Sequence, residues 1–346
     1  MRVLFSSYYN PNFESFSEYV EEAIKRLGHE VAIFDWKKFL LPGRIRQKLA
    51  FSQSLEVNRI NKALLKKVKK FGPDVVLVSG GFTIHPETIA AIKKLGNITT
   101  INWSADYPRN FEYHIKVGPY YDFLFTSSTD GLKKYREKGH GNGHFLPFAC
   151  DPLFHKTIHV TEEERKKYAC DICFVGSNYP ERVSILEKLS GFDLGIWGIG
   201  WSRLPEDSRL KPYIRGGILR PEEWVKVYNC SKIVLNILSI DIDGKIELAD
   251  PKYGHIANTR VFEILGCGAF QLVETKSDVI KMFKPGEHLI CYEDREQLID
   301  LVKYYLDNPA ERKKIADHGR HVVYEKHTYE HRIEEIFSVA GLPLHE

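Results

Sequence analysis

The residue types best suited to chemistry are concentrated in segment 258–270. Apolar side chains recur there at helical spacing, and they leave Arg260 and Glu263, three positions apart, on the opposite face. Asn258 is a favourable N-cap residue, so both charged groups would lie near the positive end of the helix dipole. An arginine in this position suits a phosphate, and a nearby carboxylate can accept hydrogen bonds from a ribose diol. The same spacing is also typical of a surface ion pair on an ordinary helix.

A glycine turn earlier in the chain has a related character. Gly176 and Ser177 follow the apolar strand predicted at 171–175 and precede a helix that opens at Pro180. Glycine at a strand-to-helix turn lets backbone N–H groups approach a diphosphate, and Arg182 would add a positive charge from the first helical turn. The turn lacks the GxGxxG pattern of dinucleotide-binding proteins.

A second turn, at 197–201, places two glycines between two tryptophans. Gly198 would allow backbone amides to approach a flat nucleotide base, with the indole of Trp201 beside it. A tight turn that buries both tryptophans in the core explains the pattern equally well.

Three aspartates are candidates for acid–base chemistry or metal binding. Asp106 follows the strand predicted at 99–103, so its carboxylate would project from a strand's carboxyl end and could orient or deprotonate a substrate hydroxyl. A turn or capping role is the commoner reason for an aspartate there. Asp241 and Asp243 form a DxD triplet that could bind a divalent cation, although such a triplet often arises by chance.

The elements that must position these residues alternate along the whole chain. Apolar strands of four to six residues are separated by amphipathic helices, which predicts α/β architecture with parallel sheets covered on both faces. The alternation pauses after residue 150 and then restarts, so we predict an N-terminal domain over 1–155, a C-terminal domain over 156–328 and a helical tail over 329–346. A ligand would bind at the carboxyl ends of the strands, in the cleft between the domains.

The composition excludes several classes of protein. The chain has 346 residues, of which 43% are hydrophobic and 27% are charged, which is enough apolar surface for two folded cores. No apolar run approaches the roughly 18 to 20 residues that cross a bilayer. The N-terminus leads directly into a strand without a signal-peptide pattern, and the six cysteines lie in apolar surroundings. We therefore predict a cytoplasmic protein.

The net charge of +3 hides an uneven distribution. Segment 37–70 contains eleven Lys or Arg and one acid, a local balance of +10 that leaves about −7 on the rest of the chain. Such a segment is either a solvated face or a docking surface for an anionic acceptor, a nucleic acid or the inner face of a membrane.

Taken together, the motifs resemble those of the CgeB-like (spore maturation) glycosyltransferases of glycosyltransferase group 1. The resemblance covers residues 144–335 well and the first 140 residues loosely. It is carried by the segments 146–152, 176–182, 197–201, 232–237, 258–270, 285–287, 292–294 and 319–329, and by Arg332.

This resemblance implies the GT-B fold, with two facing Rossmann-like domains and a C-terminal helix that crosses back to the first domain. The second domain would bind a nucleotide-sugar donor, UDP- or dTDP-linked, without a cofactor or a catalytic metal. Glu263 matches the glutamate that binds the donor's ribose, and Asn258 and Arg260 match positions that contact the diphosphate and the sugar. His255 stands where related enzymes carry a second glutamate.

The implied reaction assigns a role to each candidate residue. Arg260, Arg182 and the turn amides of Gly176 and Ser177 would stabilise the negative charge on the departing diphosphate. Asp106, in the first domain, would orient or deprotonate the acceptor hydroxyl. Two alternatives remain open: a metal-dependent sugar transferase that uses the DxD triplet, and a two-lobed small-molecule-binding protein without enzymatic activity.

Overall fold

The computed structural model describes residues 1–10, 15–40, 52–104, 111–238 and 256–344. The chain divides into two compact units, one formed by Met1–Pro147 together with Tyr329–Glu346 and the other by Phe148–Thr328.

The first unit is built on a parallel sheet with described strands in the order β2-β1-β3-β4-β5-β6. The strands are β1 Arg2–Ser7, β2 Glu30–Asp35, β3 Val75–Ser79, β4 Thr99–Ser104, β5 Phe123–Thr126 and β6 Gly143–Phe145. The helices are α1 Phe16–Arg26, α2 Ser52–Phe71, α3 Pro86–Lys93, α4 Phe111–Val117 and α5 Thr129–Glu137, with short 3-10 helices at Trp36–Phe39 and Gly118–Tyr120. Buried side chains of β1 and β3 pack against Ile60, Leu64 and Val68 of α2, which forms the core on one face of the sheet.

The second unit contains another parallel sheet, with described strands in the order β12-β11-β10-β7-β8-β9. The strands are β7 Cys170–Val175, β8 Leu194–Trp197, β9 Ile214–Gly216, β10 Ser231–Asn236, β11 Gln271–Glu274 and β12 Ile290–Tyr292. The helices are α6 Glu162–Tyr168, α7 Pro180–Glu187, α8 Pro221–Cys230, α9 Thr259–Gly266, α10 Ser277–Met282, α11 Arg295–Asp307 and α12 Pro309–Lys326, with 3-10 helices at Trp201–Arg203 and Lys211–Tyr213.

Both faces of this second sheet are buried, as its nearly continuous apolar strands require. On one face, Ile172 and Phe174 of β7 belong to a core with Trp201 and Leu272. On the other face, Cys173 packs in a cluster with Val234. The α/β prediction with parallel sheets is therefore confirmed.

The C-terminal helix, α13 Tyr329–Val339, completes the first unit, as the predicted crossing back requires. Tyr329 stacks on Tyr19 of α1 with ring centroids 5.8 Å apart, and Arg26 of α1 forms an ion pair with Glu330. Arg332 donates from Nε to the carbonyl of Pro147 at 3.0 Å.

The boundary between the compact units lies at 147/148, whereas the predicted boundary was 155/156. Segment 148–155 packs into the second unit: Cys150 lies in a cluster with Val261 and Leu265, and the ring of His155 stacks on Trp224 at 5.3 Å. This segment lacks regular structure, so sequence periodicity gave no sign of the unit it joins.

Candidate functional site

The candidate residues of the second unit lie where its parallel strands end. Gly176 and Ser177 follow β7, Gly198 follows β8, and α9 begins after the segment that leaves β10. Because β10, β7 and β8 are neighbours in the sheet, their carboxyl ends form one continuous edge. Open α/β sheets bind ligands at this edge.

The N-terminus of α9 is fixed by two asparagines. The Oδ1 atom of Asn258 accepts a hydrogen bond from the backbone N–H of Val261 at 3.2 Å, which confirms Asn258 as the N-cap. The amides of Asn258 and Asn236 also exchange two hydrogen bonds of 3.1 Å. Asn236 is buried at the end of β10, so the strand determines where the helix begins. Sequence reasoning missed Asn236, although a lone amide that ends an apolar strand was a visible signal.

Arg260 and Glu263 are both partly buried on α9. Burial raises the pKa of Glu263, while the positive charge of Arg260 and a hydrogen bond with the Thr259 side chain act in the opposite direction. No described carboxylate forms an ion pair with Arg260. The alternative of a simple surface ion pair between Arg260 and Glu263 is therefore not what the structure contains.

Arg182 is almost completely buried, with 5% of its surface exposed. Its Nη1 atom donates to the carbonyl of Ser177 at 3.0 Å and its Nη2 atom to the carbonyl of Ile237 at 3.2 Å, so it joins the loops that follow β7 and β10. Burial lowers the pKa of Arg182, and the positive charge of Arg260 lowers it further. Among the described residues, the guanidinium Nε has no hydrogen-bond partner and no carboxylate forms an ion pair with Arg182.

The two glycine turns are held against each other. A Cβ atom at Gly198, whose φ is +140°, would lie 2.0 Å from the carbonyl oxygen of Gly176. That oxygen accepts a hydrogen bond from the indole Nε1 of Trp201 at 2.7 Å. The N–H of Gly176 itself donates to the carbonyl of Trp197 at 2.9 Å.

These contacts change two of the expected roles. Trp201 is buried in the core against Phe174, so it takes the alternative position that the sequence allowed and does not present its ring to a base. The N–H of Gly176 is already used within the turn, so it does not point at a diphosphate as expected. Both residues instead fix the shape of the loop that carries Ser177.

Two further residues at this edge were not predicted as site residues, although Tyr292 lies in segment 292–294, which contributes to the family resemblance. Tyr292, at the end of β12, is buried, and its hydroxyl has no hydrogen-bond partner in the part of the chain that the structure describes. Burial and the negative charge of Glu274 raise the pKa of Tyr292, while Arg182 lowers it. Glu274 and Tyr292 line a cavity of about 550 Å³ together with Ile185 and residues 293–296. This volume is within the range of small-molecule sites.

The other predicted residues cannot be placed in this geometry. Asp106, Asp241, Asp243 and His255 lie outside the described residues. Among the residues that the structure describes, no group of three or more His, Cys, Asp or Glu is arranged to hold a metal ion. Within the same ranges, no helix has both the length and the apolar character needed to span a bilayer.

Residues 181–338 match a sequence family described as glycosyl transferase-like. The matched region contains Arg182, Arg260 and Glu263. No curated protein is similar enough in sequence to match the chain.

Solved structures resemble the chain over almost its whole length. Sucrose-phosphate synthase from Thermosynechococcus elongatus superimposes with a TM-score of 0.67 at 11% identity, over 98% of this chain and 98% of that chain. HepE from Anabaena, in complex with UDP-glucose, gives a TM-score of 0.65 at 8% identity over 99% of each chain. A glycosyltransferase from Rickettsia africae gives 0.65 at 12% identity, over 98% of this chain and 97% of that chain.

At these identities the likeness establishes the fold, which is GT-B. Together with the matched glycosyl transferase-like region, the fold identifies the chain as a glycosyltransferase of the GT-B type.

Proposed function

We propose that the protein transfers a sugar from a nucleotide-diphosphate-sugar, UDP- or dTDP-linked, to an acceptor hydroxyl without a cofactor or a catalytic metal, and that its specificity is CgeB-like. The observation that supports this most is the convergence of Arg182, Arg260 and Glu263 at the carboxyl edge of the second sheet. The charge of Arg260 is close enough to lower the pKa of Arg182, and no described carboxylate forms an ion pair with either guanidinium group. The two arginines therefore provide the positive charge that a diphosphate needs.

The chemistry follows from that charge. The bond between the anomeric carbon and the diphosphate oxygen breaks, its electron pair stays on the diphosphate, and the sugar becomes oxocarbenium-like. Arg260 and Arg182 stabilise the growing negative charge in partly buried surroundings, where the Coulomb attraction is stronger than in water. The acceptor oxygen then bonds to the anomeric carbon and releases its proton to Asp106 or to the departing phosphate.

Glu263 has a separate role in holding the donor. Its carboxylate accepts hydrogen bonds from the two hydroxyls of the donor ribose, which fixes the nucleoside while the glycosidic bond breaks. Asn258 and Asn236 orient the helix that carries it. The complex of HepE with UDP-glucose supports a uridine nucleotide as the first donor to test.

The acceptor is proposed to be anionic. Arg59, Lys62, Lys66 and Lys69 follow one another at helical spacing along the exposed face of α2, and we call them the basic stripe. None of the four forms an ion pair with a described carboxylate. Their charge would attract an anionic acceptor or the anionic surface that carries it.

The test is hydrolysis and transfer with a panel of UDP- and dTDP-sugars, with and without EDTA. We expect turnover of at least one donor that EDTA leaves unchanged. Arg260→Ala should reduce kcat by about 100- to 1000-fold, as is typical when one stabilising group is removed from a developing anion. Arg209→Ala is the matched control, because Arg209 is an exposed arginine of the same unit, outside the proposed site.

Other outcomes would contradict parts of the proposal. Loss of activity in EDTA, restored by manganese, would favour the metal-dependent alternative that uses the DxD triplet. Tight donor binding without turnover would favour the binding-protein alternative. Unchanged kinetics in Arg260→Ala would remove Arg260 from the site.

A further inference from the structure

Three aromatic side chains meet at the carboxyl edge of the first sheet. Tyr8 follows β1, Trp36 follows β2 and Phe82 follows β3, and these strands are neighbours in the order β2-β1-β3. The ring of Trp36 lies 5.5 Å from that of Tyr8 and 5.2 Å from that of Phe82, between centroids. We call these three side chains the aromatic platform.

The outer two rings of the platform face solvent. Trp36 is 8% exposed and lies beneath the other two rings, whereas Tyr8 is 38% exposed and Phe82 is 47% exposed. Local sequence produces this arrangement: Gly81, at φ +81°, turns the chain before Phe82, and Asp35 accepts the backbone N–H of Lys37 at 3.1 Å to start the 3-10 turn that buries Trp36. Adjacent exposed rings at a sheet's carboxyl edge are typical of a ligand site, not of a core.

A cationic rim borders the platform. The Nζ atom of Lys37 donates to the hydroxyl of Tyr8 at 2.9 Å, and no described carboxylate forms an ion pair with Lys37. Lys38 is exposed on the same turn, where it lies 3.8 Å from Asp35. A ligand that stacks on the rings therefore meets positive charge beside them.

The ring angles discriminate between flat and puckered ligands. The plane of Tyr8 is tilted by 45° to that of Trp36, and the plane of Phe82 by 76°. A flat nucleobase stacks best on a single plane, whereas the puckered ring of a sugar presents apolar C–H groups in several directions. The bent surface therefore fits a saccharide better than a base.

We propose that the aromatic platform binds a sugar ring that carries a negatively charged group, and that it forms the acceptor subsite of the enzyme. This inference rests on the proposed function, because only a transferase needs a second sugar site in the unit that lacks the donor residues. The acceptor proposed above is described only as anionic. The inference adds that it contains a pyranose ring, which stacks on Tyr8 and Phe82 and directs its anionic substituent towards Lys37.

The test measures sugar binding to the full chain without nucleotide, by saturation-transfer NMR from aromatic protons. The probes are glucose 6-phosphate and glucose, with inorganic phosphate as a competitor that has charge but no ring. We expect transfer to the ring C–H protons of glucose 6-phosphate, about tenfold weaker affinity for glucose, and weak competition by phosphate. Lys37→Ala should lower the affinity for glucose 6-phosphate to about the affinity for glucose.

Leucine variants separate ring stacking from general loss of apolar surface. Tyr8→Leu and Phe82→Leu should each weaken glucose 6-phosphate binding about tenfold. Tyr120→Leu is the matched control, because Tyr120 is 46% exposed in the same unit but precedes β5, away from the platform. Circular dichroism melting confirms that each variant is folded.

Two results would overturn the inference: absence of transfer to the sugar protons in the wild-type chain, or equal sugar binding in the Tyr8→Leu/Phe82→Leu double variant. Displacement of the sugar signal by oligo-dT with higher affinity would assign the platform to nucleic acid instead. Because no nucleotide is present, failure here is distinct from failure of donor turnover, which would contradict the proposed function itself.

Discussion

At the scale of single residues, the arginines of the candidate donor site differ from other cations of the second unit in lacking an ion pair with a described carboxylate. Lys226 is 2.6 Å from Glu164 and Lys232 is 2.7 Å from Asp171, which are ordinary surface ion pairs. No described carboxylate forms an ion pair with Arg182, although this residue is buried, and its charge is further opposed by Arg260. Burying a positive charge without a carboxylate partner costs folding free energy, and a folded protein tolerates that cost where a bound ligand compensates for it.

The pH dependence of donor binding should report on Glu263. Since burial raises the pKa of Glu263, this carboxyl takes up a proton at a higher pH than an ordinary glutamate does. UDP-glucose affinity should therefore be constant above that pKa and fall as the pH drops through it. UDP-glucose is the suitable probe for calorimetry because its diphosphate does not titrate near neutral pH.

The matched variant for this measurement is Glu263→Gln, which keeps the shape and removes the titration. It should bind about 10- to 100-fold more weakly at neutral pH, because a charge-assisted hydrogen bond is replaced by a neutral one, and its affinity should not change with pH. A variant that retains the wild-type pH profile would show that another group controls donor binding.

At the scale of elements, the two glycine turns depend on backbone contact between the loops that follow β7 and β8. Gly198→Ala should reduce the free energy of unfolding by about 2–4 kcal/mol, because the new Cβ would overlap the carbonyl of Gly176 and the backbone has a positive φ. Urea unfolding followed by tryptophan fluorescence measures this, since Trp197 and Trp201 flank the glycine.

Gly217→Ala is the control for that substitution. A Cβ at Gly217 would have no described neighbour within 4 Å, so the free energy of unfolding should change by less than about 1 kcal/mol. Equal effects of the two substitutions would show that the loop contact has no energetic role. Donor affinity should fall with Gly198→Ala alone, because the loop positions Ser177 and Arg182.

The sequence predicted elements where local signals were strong. The helix that begins at Pro180 and the N-cap at Asn258 agree with the structure because proline and asparagine act within one turn. Strand β9 escaped prediction because it has three residues, one of them Arg215, and no apolar run. Trp201 was ambiguous because burial depends on packing between distant segments, which periodicity does not encode.

The candidate site was predictable only in part, because packing between distant segments also decides which residues meet there. Arg260 and Glu263 share a helix, so their spacing placed them on one face. Tyr292 and Asn236 come from different strands, and only the strand order brings their carboxyl ends to one edge. Segments 232–237 and 292–294 are linked to α9 only by the family resemblance, since neither spacing nor periodicity connects these residues to the helix.

At the scale of the whole molecule, each compact unit has its own sheet, its own core and its own set of exposed or partly buried cations. In the first unit, α13 returns from the end of the chain to pack on α1, so that unit includes both ends of the described sequence. The cations of the two units differ in burial: the basic stripe is exposed, whereas Arg182 is nearly inaccessible to solvent.

This difference predicts different responses to salt. The Debye length falls from about 30 Å at 0.01 M to about 8 Å at 0.15 M, so exposed charges are screened strongly and buried ones much less. Binding of inorganic polyphosphate, a probe for an anionic acceptor, should weaken steeply over this range. UDP-glucose binding should weaken less, because Arg182 is buried.

A charge-reversal variant tests whether the basic stripe is the surface that binds polyphosphate. The variant Lys62→Glu/Lys66→Glu/Lys69→Glu should reduce polyphosphate affinity at low salt by more than tenfold and flatten its salt dependence, since three exposed cations of the basic stripe are reversed. The control Lys94→Glu/Lys133→Glu/Lys138→Glu makes the same charge change on exposed lysines of the same unit. If both variants behave alike, or if the two ligands respond equally to salt, the stripe is a solvated face and net charge alone explains the binding.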